Sequence, residues 1–277
     1  DYKSINLIKF SLFDIFNCKN RFELWELMNK DKSCIEKLVK NFKNKKIDGF
    51  IVTLDWNEHH QRIINAFKQA GIPTVCIVHE AVFQDENLYY GSKKPISDLV
   101  LTWGDMTKNI FEKRGLEKEK IKIVGSIKLT NYKNYKPIID KKQFIDKLNL
   151  DINKKTILYC CQLCDIQWGD QDFALEKQRN IIVDLIDIAE KNDYNLIIRN
   201  APAHPEKILP TEFRNNYKNK SNIAFDGLDI DGTYKSQYVT KAEDSVFFSD
   251  IVLGMNTTMQ VEATIINKPA LIIKYFD

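Results

Sequence analysis

The strongest constraint on this chain is an alternation. Short, near-continuous runs of Ile, Val and Leu are separated by stretches whose apolar residues recur every three or four positions. A strand buried on both faces is apolar at every position, whereas a helix lying on a sheet needs a single apolar stripe. The two patterns in turn predict parallel sheets covered by helices. In the first half, Ile35, Leu38, Val39 and Phe42 follow helical spacing in a helix expected to begin near Phe22. Strands are expected at 48–55, 73–79, 97–104 and 120–126, with helices from Trp56 to Ala70 and onward to Gly115. A second set of strands is expected at 154–163, 195–199, 222–227, 250–255 and 269–275. Its helices run through Ile181, Ile182, Leu185, Ile188 and Ala189, near Asp244 to Ser249, and from Asn256.

Between the two sets the periodicity lapses. Residues 128–140, KLTNYKNYKPIID, are polar, rich in Lys and Tyr, and carry a proline. A linker at 129–140 is therefore expected between domains 1–128 and 141–277, two α/β halves without a sequence repeat, facing across a cleft. With 44% hydrophobic residues in 277, the chain can bury a real core. Its 41 basic and 38 acidic side chains leave a net charge of +3, which gives no reason to expect nucleic acid as a partner. No run reaches the roughly 18 apolar residues of a membrane span, and DYKSINLIKF lacks the features of a signal peptide, so the chain reads as cytoplasmic. The absence of an initiating Met and the strand-like PALIIKYFD suggest a protein cut at both ends. Six scattered cysteines read as buried, reduced thiols; Cys161 and Cys164 have no histidine to complete a metal set, and no metal is expected. Asp226, Asp229 and Asp231 read as solvated loop carboxylates.

Chemistry is expected where strands end. In SDIVLGMNTTMQVEATIINKPALII (249–273), a buried strand ends at Gly254 and passes through Asn256, Thr257 and Thr258 into a helix. Hydroxyl caps leave backbone N–H groups and a positive dipole end free for an anion, worth about 0.3–1 kcal/mol. Glu262, one turn past Thr258 on the same face, could accept both hydroxyls of a ribose. In NLIIRNAPAHPEKI (195–208), His204 precedes Pro205, which should hold its backbone extended and aim the ring at a phosphate. In the first half His79 and Glu80 end a buried strand, as does Asp55, with Glu58, His59 and His60 beyond it. His79 is the preferred general base and Glu80 the second candidate, while His59 and His60 read as surface residues. Lys40, Lys43, Lys45, Lys46 and the Lys-rich linker form local positive surfaces able to touch anionic lipid.

These stretches resemble the GT-B polysaccharide enzymes, among them the CDP-glycerol glycerophosphotransferase and the capsule or lipopolysaccharide transferase groups. The likeness lies in Ile72-Pro73, His79, Asp98 to Gly104, Gly115 and Ile121 to Ser126, then His204-Pro205 and Asp250 to Pro269. It implies two Rossmann-like domains facing across a cleft, and transfer of a sugar or glycerol phosphate from a nucleotide-activated donor without metal or cofactor. The acceptor would be a saccharide or lipid-linked chain, with peripheral contact at the inner face of the membrane. By the same resemblance His204, Thr257 and Thr258 hold donor phosphates, Glu262 holds the ribose, and the first domain binds the acceptor and supplies the base. Glu80 departs from the glycine usual after that histidine. His79-Glu80-Ala81 also resembles the His-Val-Glu-Ala-Gly of UDP-N-acetylglucosamine 2-epimerases, which carry Ser-Gly-Gly where this chain has Asn256-Thr257-Thr258. A 2-epimerase-like enzyme and a non-catalytic GT-B binding domain are the alternatives.

Overall fold

A computed structural model describes residues 33–44, 47–53, 55, 58–78, 94–162, 171–202, 204–228, 236–255 and 257–273. The chain divides into two compact units, residues 1–126 and 127–277.

The first unit is built on a parallel sheet of four strands, β1 (Phe50–Val52), β2 (Thr74–Ile77), β3 (Leu99–Thr102) and β4 (Ile121–Ile123), in that order. Helices α1 (Ser33–Lys43), α2 (Glu58–Gln69) and α3 (Asp105–Lys113) connect or flank them. One core gathers Phe42, Ala66, Phe67 and Ile72, with the Phe67 ring stacked between Phe42 and Phe50 at 3.8 and 3.9 Å. A second joins Cys76, Val78 and Val100 to Ile110 and Phe111 of α3. The residues expected to extend α1 back toward Phe22 lie outside those described.

The second unit opens with α4 (Ile127–Lys133) and α5 (Lys141–Lys147), followed by β5 (Thr156–Cys160), α6 (Gln171–Lys191) and β6 (Asn195–Arg199). Short helices α7 (Pro205–Ile208) and α8 (Thr211–Asn215) lead to β7 (Ile223–Asp226), then α9 (Ala242–Phe248), β8 (Ile251–Gly254), α10 (Thr258–Ile265) and β9 (Ala270–Ile272). Its five strands are parallel, in the order β7-β6-β5-β8-β9. Counted within the unit this is 3-2-1-4-5, the doubly wound order, and the direction of winding reverses between β5 and β8. Alternate residues of β5 feed the cores on its two faces. Ile157 and Tyr159 pack with Leu175, Ile182 and Ile186 of α6, and Leu158 and Cys160 with Phe144, Val246 and Ala263 of α5, α9 and α10. All five residues of β5 and of β6 are buried, which is why these runs carry no polar alternation.

The stretch 129–140 differs from the expected linker. Its first residues complete α4, and Tyr132, 1% exposed, lies in the core with Phe144 and Leu158. Polar neighbours hid a short helix that sets a tyrosine in the core.

The two halves also share a local device. Ser-Asp precedes an apolar run twice, at Ser97-Asp98 and Ser249-Asp250. Asp98 Oδ2 accepts the backbone N–H of Thr74, the first residue of β2, at 2.9 Å, and Lys68 closes on Oδ1 at 2.9 Å. Asp250 Oδ2 accepts the N–H of Thr156, the first residue of β5, at 2.8 Å, with Lys155 at 3.0 Å. Each carboxylate satisfies an N–H that the parallel ladder leaves over at the amino edge. Partial burial works against ionisation in both, yet the hydrogen bonds and lysines prevail and hold both carboxyls below their usual range.

Candidate functional site

In a doubly wound sheet the carboxyl ends of the strands are the natural ligand edge, because helices there begin with unpaired N–H groups. In the second unit that edge carries Cys160, Arg199, Asp226 and Gly254, the last residues of β5, β6, β7 and β8. The register sets Cys160 opposite Gly254, across the point where the winding reverses.

Gly254 is buried where the chain turns toward α10. A Cβ added there would lie 3.2 Å from the Cys160 carbonyl oxygen, 3.3 Å from Gln260 Oε1 and 3.3 Å from Thr257 Cγ2. The glycine thus permits a close approach of backbone to the helix start. Thr257 is the N-cap of α10, and its N–H donates to Gln260 Oε1 at 2.7 Å, so a glutamine three residues on satisfies one of the donors at the helix entry. Thr257 and Thr258 are half-buried. Asn256 lies outside the described residues, as do His79 and Glu80.

Glu262 is placed differently from a solvated helix residue. It is 0% exposed, and its Oε2 accepts a 2.7 Å hydrogen bond from the Tyr132 hydroxyl. Burial and the neighbouring carboxylate push the Tyr132 phenol far above its usual range, so it remains a donor.

His204 corrects the expectation of an extended backbone. It is left-handed, at φ 54 and ψ 49, and exposed, with Pro205 buried as the first residue of α7. Proline disfavours the right-handed helical region for its predecessor on steric grounds. The left-handed turn lets the His204 carbonyl accept from the N–H groups of Lys207 at 3.0 Å and Ile208 at 3.3 Å. Asn200 Nδ2 ties this turn to the strand end by donating to the Pro205 carbonyl at 3.1 Å. A non-glycine residue at positive φ is stored strain of the kind found at functional turns.

Asp226 corrects a second expectation, that of a solvated loop carboxylate. It is 1% exposed and forms an ion pair with Arg199, which is itself 5% exposed. The register makes them neighbours on adjacent strands. Arg199 also donates to the Thr240 carbonyl at 3.2 Å, the Thr240 hydroxyl at 3.0 Å and the Ser245 hydroxyl at 3.2 Å, with the Tyr238 ring 4.0 Å above its guanidinium. Tyr238 in turn donates to the Asn200 carbonyl at 2.9 Å. A single buried cation therefore joins the loops after β6 and β7. The sequence signal was available, since a charge ending each of two apolar strands can pair in register, but each strand read alone gives no hint of it.

In the first unit, Asp55 is fully buried and its Oδ2 accepts from the N–H groups of Ser97 at 2.8 Å and Ile96 at 3.2 Å. Burial outweighs those bonds and raises its carboxyl above the usual range. Cys160 and Cys161 are buried free thiols; burial pushes Cys160 up to about 12. Cys164, Asp229 and Asp231 lie outside the described residues, among which no three His, Cys, Asp or Glu side chains gather as a metal set. Among the described residues, no helix is long and apolar enough to cross a membrane.

No family model and no curated protein matches the chain in sequence. Solved structures match in fold. The UDP-GlcNAc 2-epimerase of Neisseria meningitidis, bound to UDP-GlcNAc, aligns with TM-score 0.62 and 16% identity over 95% of this chain and 71% of its own. The Methanocaldococcus jannaschii UDP-GlcNAc 2-epimerase, in complex with UDP-GlcNAc and UDP, gives 0.56 and 15% over 86% of this chain and 64% of its own. An S. aureus MnaA–UDP co-structure gives 0.57 and 18% over 87% and 61%. The chain spans less than two thirds of the length of the latter two. It has the α/β, parallel-sheet fold of these GT-B-like enzymes.

Proposed function

We propose that this chain is a nucleotide-sugar enzyme of the 2-epimerase kind, with UDP as the nucleotide. The observation that carries the reading is the strand-end geometry of the second unit: the winding reverses between β5 and β8, and Gly254 brings the backbone close to the entry of α10 at that point. The fold likeness to enzymes solved with UDP-GlcNAc or UDP supplies the ligand class. In this reading Gly254, Asn256, Thr257 and Thr258 form the diphosphate cradle with His204 on its Pro205 turn, whereas Glu262, expected to accept the ribose hydroxyls, is fully buried against Tyr132 and presents no surface to a ribose. The acid–base group in this reading is His79, with Glu80 as the second candidate. Inversion at C2 removes a proton as the C1–O bond breaks and its electron pair leaves with UDP, then returns a proton to the opposite face of C2 as that bond re-forms, and an imidazole and a carboxylate suit the two proton transfers near neutral pH.

Transfer to a saccharide or lipid-linked acceptor is the second reading, favoured by Asn256-Thr257-Thr258 standing where the epimerases have Ser-Gly-Gly. Incubation with UDP-GlcNAc in deuterated water separates the two. Epimerisation gives the 2-epimer and deuterium at C2 without any acceptor; transfer gives product only when acceptor is added. Loss of neither substrate nor proton under both conditions would refute an enzymatic role.

A further inference from the structure

We propose that Tyr238 is a positioning residue for His204, acting through Asn200; this rests on the UDP-sugar reading above, in which His204 meets the diphosphate.

A non-glycine residue persists at positive φ only where the surrounding structure determines its turn. His204 is such a residue, exposed at φ 54, and the turn that carries it is braced from two elements. Asn200, the residue just past β6 and 3% exposed, spans the turn from within. Its N–H donates to the Asp226 carbonyl at 2.8 Å, which adds a rung to the β6–β7 ladder, and its Nδ2 donates to the Pro205 carbonyl at 3.1 Å, beyond His204. The second brace comes from the chain that returns after β7. Leu228 and Gln237 exchange backbone hydrogen bonds at 3.0 and 2.8 Å, which brings Tyr238 back beside the end of that strand. There the Tyr238 hydroxyl donates to the Asn200 carbonyl at 2.9 Å. The Tyr238 ring is itself held, 4.0 Å from the Arg199 guanidinium and in the space beside Gly227, where φ is 83 and an added Cβ would collide with the ring. Ser236 completes the brace: its N–H donates to the Pro202 carbonyl at 3.1 Å and its hydroxyl to the Ala201 carbonyl. Residues 236–238 thus splint the turn after β6. A group that meets a ligand must be held within about 0.5 Å of its productive place, and the hydroxyl of Tyr238 supplies that restraint where Asn200 anchors the turn.

UDP affinity, titrated on the wild-type chain and on Tyr238→Phe, His204→Ala and the double variant, tests the assignment. Tyr238→Phe removes the hydroxyl and keeps the ring beside Arg199 and Gly227. It should weaken UDP binding by about two- to tenfold, the range for one lost hydrogen bond. His204→Ala should weaken it at least as much. The double variant should bind UDP no more weakly than His204→Ala, because nothing is then left for the tyrosine to position. Losses that multiply in the double variant, or unchanged affinity in Tyr238→Phe, would overturn the positioning role and leave the UDP reading intact. Unchanged affinity in His204→Ala would remove the group to be positioned, and the proposal with it. Failure of wild type to bind UDP would overturn both the proposal and the reading it rests on.

Discussion

Replacing Arg199 with Met tests the physical account of the strand-end edge most severely. The guanidinium and the Asp226 carboxylate are 5% and 1% exposed, so neither can exchange its partner for water. Removing the cation strands a carboxylate in low dielectric, and breaking a buried pair in this way costs about 3–5 kcal/mol. Against a total stability of about 5–15 kcal/mol for a native protein, this is a large fraction. Asp226→Leu should cost a similar amount by stranding the cation. The double replacement, Arg199→Met with Asp226→Leu, should cost clearly less than either alone, because no charge is then left behind. The Thr240 and Ser245 hydroxyls keep partners in the double variant, since they already pair at 2.8 Å and Ser245 bonds the Lys241 carbonyl at 3.0 Å, whereas the Thr240 carbonyl and the Val239 N–H lose theirs, so the double variant should still fall short of wild type. Urea unfolding followed by far-ultraviolet circular dichroism gives the four stabilities. Single-variant losses under about 1 kcal/mol, or a double-variant loss equal to the sum, would refute the reasoning.

Asp55→Asn should be neutral or stabilising at pH 7. A raised folded-state carboxyl contributes stability that is fully present below its unfolded value, about 3.9, and lost as pH rises through the folded value; the amide avoids that loss and can still accept from Ser97 and Ile96. A variant that loses ground to wild type between pH 4 and 7 would contradict this. Asp98 and Asp250 run the opposite way: their depressed values give stability present above about pH 4 and lost as pH falls below it, so the gap between wild type and Asp250→Asn should close in acid urea titrations. Gly254→Ala should cost about 1–3 kcal/mol, since its Cβ would crowd the Cys160 carbonyl oxygen at 3.2 Å and the Gln260 oxygen that caps Thr257 at 3.3 Å, and it should weaken UDP binding in the same preparation. Unchanged melting together with unchanged UDP affinity would show the close approach to be dispensable.

The sheets were legible because burial on both faces writes itself into sequence as unbroken apolar runs. β6 occupies the stretch expected for it, 195–199, and the other strands fall inside their expected segments. The relation between strands was not legible, because order and register depend on contacts between distant residues. Nothing local in DYNLIIRN or NIAFDGLD shows that Arg199 and Asp226 become neighbours. The same holds for Tyr132 and Glu262, whose bond spans 130 positions. His204 failed for a different reason: a residue before proline avoids one helical region, and an extended backbone is only the commoner of its remaining options.

The two edges of the second sheet are closed by different kinds of group. At the amino edge, Asp250 closes the start of β5, so the leftover N–H of Thr156 is met by a residue 94 positions on, just before the neighbouring strand β8. That solution is readable as Ser-Asp before an apolar run, and it recurs at Asp98 in a unit of different strand order. At the carboxyl edge, the groups are met mainly from the loops and helices: Arg199 by Asp226 and Thr240, Asn200 by Tyr238 and Pro205, Glu262 by Tyr132. Such contacts hold loops rather than strands, and they fix the turn bearing His204 and the helix bearing Thr258 through different anchors. A ligand bridging that turn and that helix would tie together two loops that the sheet alone leaves independent. UDP should therefore protect the amides of 200–208 and 257–262 from hydrogen exchange together. Protection of one segment without the other would place the nucleotide elsewhere.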